Sequence, residues 1–442
     1  MASISSENSV DMRRMFPVIF SSTVGTSIEW YDFFLYSLLS ASVFGKVFFP
    51  TFDPATGTIL AFTTNFAGFA ARPIGAAFFG WFGDRVGRKS TLIATLLLMG
   101  IATFLVGCLP GYAQIGVAAP ILISILRILQ GAGVGGEWGG SVLMSVEHGD
   151  SRRRGFWASW PQTGVPVGLA LAATAIIICQ AIFPPAQFLT IGWRIPFFFS
   201  ALLILVGLYI RLRVLESPKF AEIKAENRLS KAPLPEVIRH YWREIILTAL
   251  LRSGEQAPFY LFSTYILTYG KGLNIASSVL FTGIILGAVL AFASMPTFSL
   301  LSDRVGRKRW FTIGAILMAA FAFPYFMLLN TKNPVVVVIA IALSLCIFHA
   351  WLYGPEAAFI SERFGTKLRY SGASLGYQLA SLTAGGPAPI IAVALFAAYH
   401  SSIPISLYIV GMAVITLLAL LGLREYAQQE TAEDKEAVAA TV

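Results

Sequence analysis

The sequence predicts an all-α membrane protein of twelve transmembrane helices, arranged as two pseudo-symmetric bundles of six. Three observations carry that expectation. The chain is too apolar for water, its basic residues are confined to alternate loops, and one hexapeptide, Asp-Arg-Val-Gly-Arg-Lys, stands at positions 84–89 and again at 303–308.

Hydrophobic residues make up 56% of the 442 and charged residues 12%, against about 25% charged in an ordinary soluble domain. The mean hydropathy is +0.71. A bilayer solvates such a surface, provided each crossing segment has roughly 20 apolar residues and satisfies its own backbone. The short alternating segments of a β-barrel are not visible. Cys108, Cys179 and Cys346 lie in separate apolar runs without metal or redox spacing, and read as packing residues. The first apolar run contains Glu29 and Asp32. It is too long and too charged for a signal-peptide core, so the chain is expected to insert by its own helices.

Apolar runs fall near 16–44, 57–83, 90–109, 117–147, 155–182 and 193–213, then 244–270, 276–302, 310–329, 334–361, 371–398 and 402–423. The domains read as an N-terminus (1–15), a six-helix bundle (16–213), a polar linker (214–243), a second bundle (244–423) and a tail (424–442). With the N-terminus in the cytoplasm, 25 of the 32 Lys and Arg residues lie on the cytoplasmic side and three, Lys46, Lys271 and Lys332, lie outside. This positive-inside asymmetry places both termini in the cytoplasm. It also accounts for the net charge of +9 without nucleic acid. Basic loops of this kind can touch anionic lipid head groups.

The hexapeptides are 219 residues apart, and each lies between the second and third span of its half. Six identical residues are strong evidence for the internal repeat of a transporter. A second landmark agrees: Glu147 precedes Arg154 by seven residues, and Glu362 precedes Arg369 by seven. Gly87 and Gly306 allow a sharp two-helix turn with positive φ, and each aspartate can cap a helix start or pair with an arginine. The functional expectation is a cytoplasmic charge lock built from Asp84, Arg85, Arg88, Glu147, Arg154 and Glu216 in the first half, and Asp303, Arg304, Arg307, Glu362 and Arg369 in the second. A purely topological turn is the alternative.

Gly80-Trp-Phe-Gly-Asp-Arg-Val-Gly-Arg-Lys89 resembles the loop motif of the major facilitator superfamily; in the second copy Ser299 replaces the leading glycine. Arg127-Ile-Leu-Gln-Gly131 and Glu216-Ser-Pro-Lys219 resemble that superfamily's fourth- and sixth-helix motifs. Ile28-Glu-Trp-Tyr-Asp-Phe33, Ala71-Arg-Pro-Ile-Gly75, Gly135-Gly-Glu-Trp-Gly-Gly140, Trp193-Arg-Ile-Pro-Phe197 and Arg369-Tyr-Ser-Gly372 are similar to the metabolite:proton symporter family within it. The resemblance covers almost the whole chain. It implies the twelve-helix major facilitator fold and proton-driven uptake of small metabolites: di- and tricarboxylates, alicyclic acids such as shikimate, aromatic acids, or zwitterions such as proline and betaine.

Charge within a span costs about 2.5–3.5 kcal/mol on insertion scales and marks function by default. Glu29 and Asp32, at i,i+3 in span one, form a carboxylate pair able to hold a proton, with Tyr36 on the same face. In span four, Arg127, Gln130 and Glu137 share a face; Arg127 is expected to alternate between an acid such as Asp32 and the substrate. Glu137 lies in a glycine-rich run, Gly131 to Gly140, where helices can approach closely, with Trp138 beside it. Span seven holds Arg252 and Glu255, an expected ion pair, with Gln256 and Tyr260 as ligand anchors. Span ten holds His349, Tyr353 and Glu356 with a break expected at Gly354-Pro355. The proton-coupling candidates are therefore Glu29, Asp32, Glu137, His349 and Glu356. The substrate-binding candidates are Tyr36, Arg72, Arg127, Gln130, Trp138, Gln162, Arg252, Glu255, Gln256, Tyr260, Tyr353, Tyr377 and Gln378. A structural role competes at each: Glu29–Asp32 as a hydrogen-bonded pair, Arg127 in a permanent salt bridge, His349 as a core histidine, Arg72 in helix packing. Arg194 reads as interfacial.

The function expected is proton-coupled symport of a small organic acid, mono- or dicarboxylate, by alternating access. Zwitterion uptake and proton-independent exchange are the alternatives. No nucleophile or metal constellation points to an enzyme. No cofactor is expected beyond the proton gradient, nor any partner beyond substrate, protons and lipid, in a monomer.

Overall fold

The computed structural model describes residues 12–86, 88–148, 153–213, 233–364 and 369–423. Twelve long helical segments fill them. The first bundle comprises α1 (Met12–Leu39, continued to Phe48), α2 (Pro54–Val86), α3 (Arg88–Cys108), α4 (Ala118–His148), α5 (Arg154–Ile182) and α6 (Ile195–Arg213). The second comprises α7 (Pro233–Leu251, resuming at Ser253 and running to Gly272), α8 (Ser277–Val305), α9 (Arg307–Asn330), α10 (Pro334–Ser361), α11 (Arg369–Tyr399) and α12 (Ile403–Gly422). Among the described residues, nine helices are long and apolar enough to cross a membrane on composition alone. The other three, α1, α2 and α7, hold Glu29 and Asp32, Asn65 and Arg72, and Arg252 and Glu255.

The repeat is visible in the packing. In the first bundle α1 packs on α5, α2 on α4 and α3 on α6; in the second α7 packs on α11, α8 on α10 and α9 on α12. Each helix thus repeats its partner six positions on. The bundles meet along α2–α11 and α5–α8, with α4–α11 and α5–α10 nearer the axis. The outer surface is studded with exposed apolar side chains, such as Ile74, Leu205, Met327 and Leu421, which only lipid would solvate.

Glycine sets the tightest crossing. A Cβ placed on Gly131 of α4 would lie 1.9 Å from the carbonyl oxygen of Gly68 in α2, and one on Gly75 would lie 2.0 Å from that of Ala132. The backbones touch there, as small residues permit in membrane helices. That approach carries Arg72 and Arg127 toward the axis.

The second hexapeptide turns as expected: Gly306 has φ 97°. Its last residue has a role the sequence did not suggest. Lys308 Nζ donates to the carbonyl of Leu423 at the end of α12 (2.9 Å), and Lys89 Nζ donates to that of Leu212 at the end of α6 (2.7 Å). In both halves the lysine caps the C-terminus of the last helix of its bundle, where a cation meets unpaired carbonyls and the negative dipole end.

One expectation is corrected. Span ten is unbroken at Gly354-Pro355, inside the helical stretch Ala350–Ser361; its irregularity is a π turn at Ser344–His349. Similar turns occur at Ser40–Phe44 in α1, Leu261–Tyr265 in α7 and Ser381–Gly385 in α11. Such insertions free carbonyls and re-aim side chains, and they lie on helices that reach the axis.

Candidate functional site

Two differently charged faces meet at the centre. On the first bundle, Arg127 Nη2 donates to Asn65 Oδ1 (2.5 Å) and Nη1 to Gln130 Oε1 (3.2 Å), while Gln130 Nε2 donates to Thr103 Oγ1 (2.7 Å). The Arg127 guanidinium lies 4.1 Å from the Phe33 ring centroid and 4.3 Å from that of Tyr36. Arg72 shares the Phe33 ring at 4.2 Å, lies 4.6 Å from Phe69, and reaches across the seam to Ser381 Oγ at 3.4 Å. Both arginines are fully buried. Nε and Nη2 of Arg72 and Nε of Arg127 have no hydrogen-bond partner among the described residues. Neither guanidinium has a carboxylate partner there.

The second bundle is the reverse. Arg252, at the interruption of α7, forms a very short ion pair with Glu356 of α10 and a longer one with Glu255 Oε2 (3.4 Å). Its Nη1 donates to the carbonyl of Tyr377 (2.5 Å), and its guanidinium covers the Tyr377 ring at 3.4 Å. Glu255 Oε1 also contacts His349 Nε2 at 2.8 Å. The imidazole is sandwiched by Phe259 and Tyr353, at 4.2 and 4.9 Å between centroids. Two carboxylates thus face one guanidinium, and Glu356 Oε2 has no hydrogen-bond partner among the described residues.

Ser381, in the π turn of α11, joins the faces. It receives Gln256 Nε2 (2.9 Å) and Arg72, and donates to Gln378 Oε1 (3.2 Å). Gln256 Oε1 and the Tyr260 hydroxyl have no hydrogen-bond partner among the described residues. Tyr260 packs edge-on against Phe69 (4.9 Å) and Phe33 (6.2 Å). Phe33, Phe69, Tyr36 and Tyr260 therefore make an aromatic wall beside the Arg72 and Arg127 guanidiniums. Toward the hexapeptide face, Trp138 of α4 stacks on Tyr377 at 3.8 Å and donates to Gln162 Oε1 (2.9 Å); Gln162 Nε2 reaches the Tyr353 carbonyl (3.4 Å). Glu29 lines a 10 Å³ cavity beside these groups.

At the hexapeptide face, α5 begins at Arg154 with no side-chain cap of its own. The cap comes from the other bundle: the Asp303 carboxylate accepts Gly155 N–H at 2.9 Å and Phe156 N–H at 3.1 Å. Arg307 holds Asp303 at 3.0 Å and is itself held by Glu362 through two 2.7 Å bonds. Arg304 is exposed, since the next residue of a helix points about 100° away. Arg154 is half-buried. Glu216 and the side chains of Asp84, Arg85, Arg88, Glu147 and Arg369 lie outside the described residues.

The sequence profile of the Major Facilitator Superfamily matches residues 16–389. The chain belongs to the Major Facilitator Superfamily. It is 38% identical to the inner membrane metabolite transport protein YhjE of Escherichia coli K12 over 91% of this chain and 93% of that protein. The shikimate transporter of the same strain is 37% identical, over 94% of this chain and 96% of its own length, and its proline/betaine transporter is 31% identical over 95% and 85%. A partially occluded, inward-open structure of the E. coli xylose transporter XylE superposes with a TM-score of 0.71 at 20% identity, covering 92% of this chain and 96% of that one. That likeness shows the fold. The chain is a multi-pass transporter of the superfamily and not an enzyme.

Within this major facilitator architecture, some expected pairings change. Arg127 does not meet Asp32. The Asp32 carboxylate instead accepts Ser200 Oγ of α6 at 2.6 Å, because span one presents that position to α6 while Phe33 and Tyr36 take the axial side. Glu137 is buried in the α2–α4 crossing region. Arg194 caps α3, donating to the carbonyls of Gly107 (2.8 Å) and Leu109 (2.5 Å). Asn65, Ser381 and Phe33 were not singled out from sequence. Asn65 was the most legible, as an amide within a largely apolar run.

Proposed function

We propose that the protein is a proton-coupled symporter importing a small, ring-bearing organic acid across the bacterial inner membrane, with both termini cytoplasmic. The carrying observation is the pair of buried guanidiniums, Arg72 and Arg127, that share the Phe33 ring and have no carboxylate partner among the described residues. An uncompensated buried charge is costly, and a substrate carboxylate supplies the missing anion. The wall of Phe33, Phe69, Tyr36 and Tyr260 suits the remainder of such a molecule. Kinship with a shikimate transporter favours the same reading.

Proton coupling is assigned to the Arg252 cluster. Arg252 with Glu255 and Glu356 carries one net negative charge when both acids are ionised, and a single proton neutralises it. Glu356, with one oxygen unpartnered among the described residues, is the acid placed to take that proton, and His349 reaches the cluster through Glu255. The Asp303 contact would then lock the cytoplasmic side while substrate enters from the other.

The test uses purified protein in liposomes with an imposed pH gradient, acid inside and out compared. Glu356→Gln should abolish gradient-driven accumulation of shikimate while leaving counterflow exchange. Undiminished accumulation by this variant would remove Glu356 from the coupling step. Wild-type uptake that ignores the gradient and needs internal counter-substrate would make the protein an exchanger.

A further inference from the structure

At the face opposite the hexapeptides, two cavities of 280 and 360 Å³ flank the seam between α1 and α7. Both are lined by Lys46, Lys271, Ala41 and Ser42. Lys46 comes from the end of α1 in one bundle and Lys271 from the end of α7 in the other; both are exposed. Four Lys or Arg residues lie at this face; Arg194 is taken up by carbonyls at the end of α3, and two of the other three, Lys46 and Lys271, converge on one seam. The sole acidic residue of these loops is Asp53. Its Oδ1 accepts the N–H groups of Ala55 and Thr56 (both 3.1 Å), capping α2. Hydrogen bonds from Thr56 hold its carboxyl below the ordinary range, and it lines the smaller cavity as one negative charge against the two lysines. The lysines are left without a paired acid among the described residues.

Directly below them the seam is shut. Thr268, one turn from Lys271, donates to the carbonyl of Ala41 at 3.3 Å, in the π turn of α1. The same turn leads to the aromatic wall, since Ser40 Oγ donates to the Tyr36 carbonyl (2.9 Å) and Tyr36 packs on Phe44 (5.0 Å).

We propose that Lys46 and Lys271 form a carboxylate-capturing vestibule, a second anion subsite outside the central one. It rests on the organic-acid reading. Two like charges on opposite bundles repel, and an anion between them relieves that repulsion. The vestibule therefore concentrates the substrate anion above the seam it must pass, using exposed charges whose field is strong at low salt and screened within about 8 Å at physiological salt.

The experiment measures initial uptake into liposomes with shikimate as carboxylate probe and proline as zwitterion probe, at 20-fold different ionic strengths (roughly 10 and 200 mM, bracketing the screening range). Lys46→Gln and Lys271→Gln should each raise the shikimate KM about fivefold at low salt, the factor that one unit charge at contact distance in water represents, with kcat unchanged. The double variant should lose the salt dependence of KM that the wild type shows. Lys332→Gln, at this face but outside both cavities, should leave KM unchanged. A shikimate KM unaltered in the double variant, or raised equally by Lys332→Gln, would overturn the vestibule while leaving the organic-acid reading intact. Wild-type uptake of proline without shikimate would overturn both.

Discussion

Replacing Asp303 by asparagine keeps the side-chain shape and removes its charge. In the structure Asp303 is nearly buried, at 5% exposure, and its carboxylate bonds two N–H groups at the start of α5 in the opposite bundle. Asparagine offers one acceptor oxygen and turns an NH₂ toward the second donor. Arg307 stays seated on Glu362, so the loss concentrates on the cross-bundle cap. A cap is worth about 0.5–2 kcal/mol, and a charge at a helix N-terminus adds about 0.3–1 kcal/mol. A loss of about 2 kcal/mol follows, which is about thirtyfold in population because 1.4 kcal/mol is about tenfold. If those bonds hold the hexapeptide face closed and are lost when it opens, Asp303→Asn should populate the open state about thirtyfold more. The assay is alkylation of a single-cysteine reporter, S159C, with Cys108, Cys179 and Cys346 replaced by serine. Ser159 lies one turn beyond Gly155 on the same face of α5 and is buried. Its alkylation rate should rise in proportion. Gly155→Ala should act in the same direction, since its Cβ would lie 2.6 Å from Asp303 Oδ1. Glu362→Gln, which touches no atom across the seam, should do less. An unchanged labelling rate in both Asp303→Asn and Gly155→Ala would refute the inter-bundle cap as a gate.

Further outcomes are expected at the centre and the crossing. Arg72→Gln and Arg127→Gln should each weaken binding of an organic anion by at least about thirtyfold, the lower end of what removing one partner of a buried charge pair costs, read by direct binding of labelled shikimate; binding within threefold of wild type would dissociate these guanidiniums from the substrate. Gly131→Ala should destabilise the protein by about 1–3 kcal/mol through backbone overpacking, seen as a lowered thermal unfolding temperature in detergent. Gly411→Ala, where a Cβ meets nothing within 4 Å, is the control, and equal behaviour of the two would remove close α2–α4 approach as the reason for the glycine.

Much of the architecture was legible because the bilayer imposes simple rules. Long apolar runs must be helices, and the duplicated hexapeptide reported a duplicated bundle. The observed helix starts, such as Ala118, Arg154 and Ile403, fall close to the apolar runs. The intramembrane charges were also legible as a set, since cost alone marks them. Their pairing was not. Glu255 and Arg252 are three residues apart and meet as expected, but the tighter partner of Arg252 is Glu356, 104 positions away. The expected Arg127–Asp32 contact failed because a helical wheel orders residues around one helix and carries no information on which neighbour each direction faces.

What the sequence by itself determined is the solvent, the helix count, the two-fold repeat and the family, because hydropathy, charge asymmetry and motif order are properties of the chain read in line. What only the tertiary structure decided is the division of charge across the axis: two guanidiniums with no acid partner among the described residues on the first bundle, two acids around one guanidinium on the second, and Ser381 between them. The physical reason is that electrostatic cost depends on the distance between groups from different helices. That distance was set by the glycine crossing of α2 and α4, by the interruption of α7 at Arg252 and by the π turns, none of which periodicity reports.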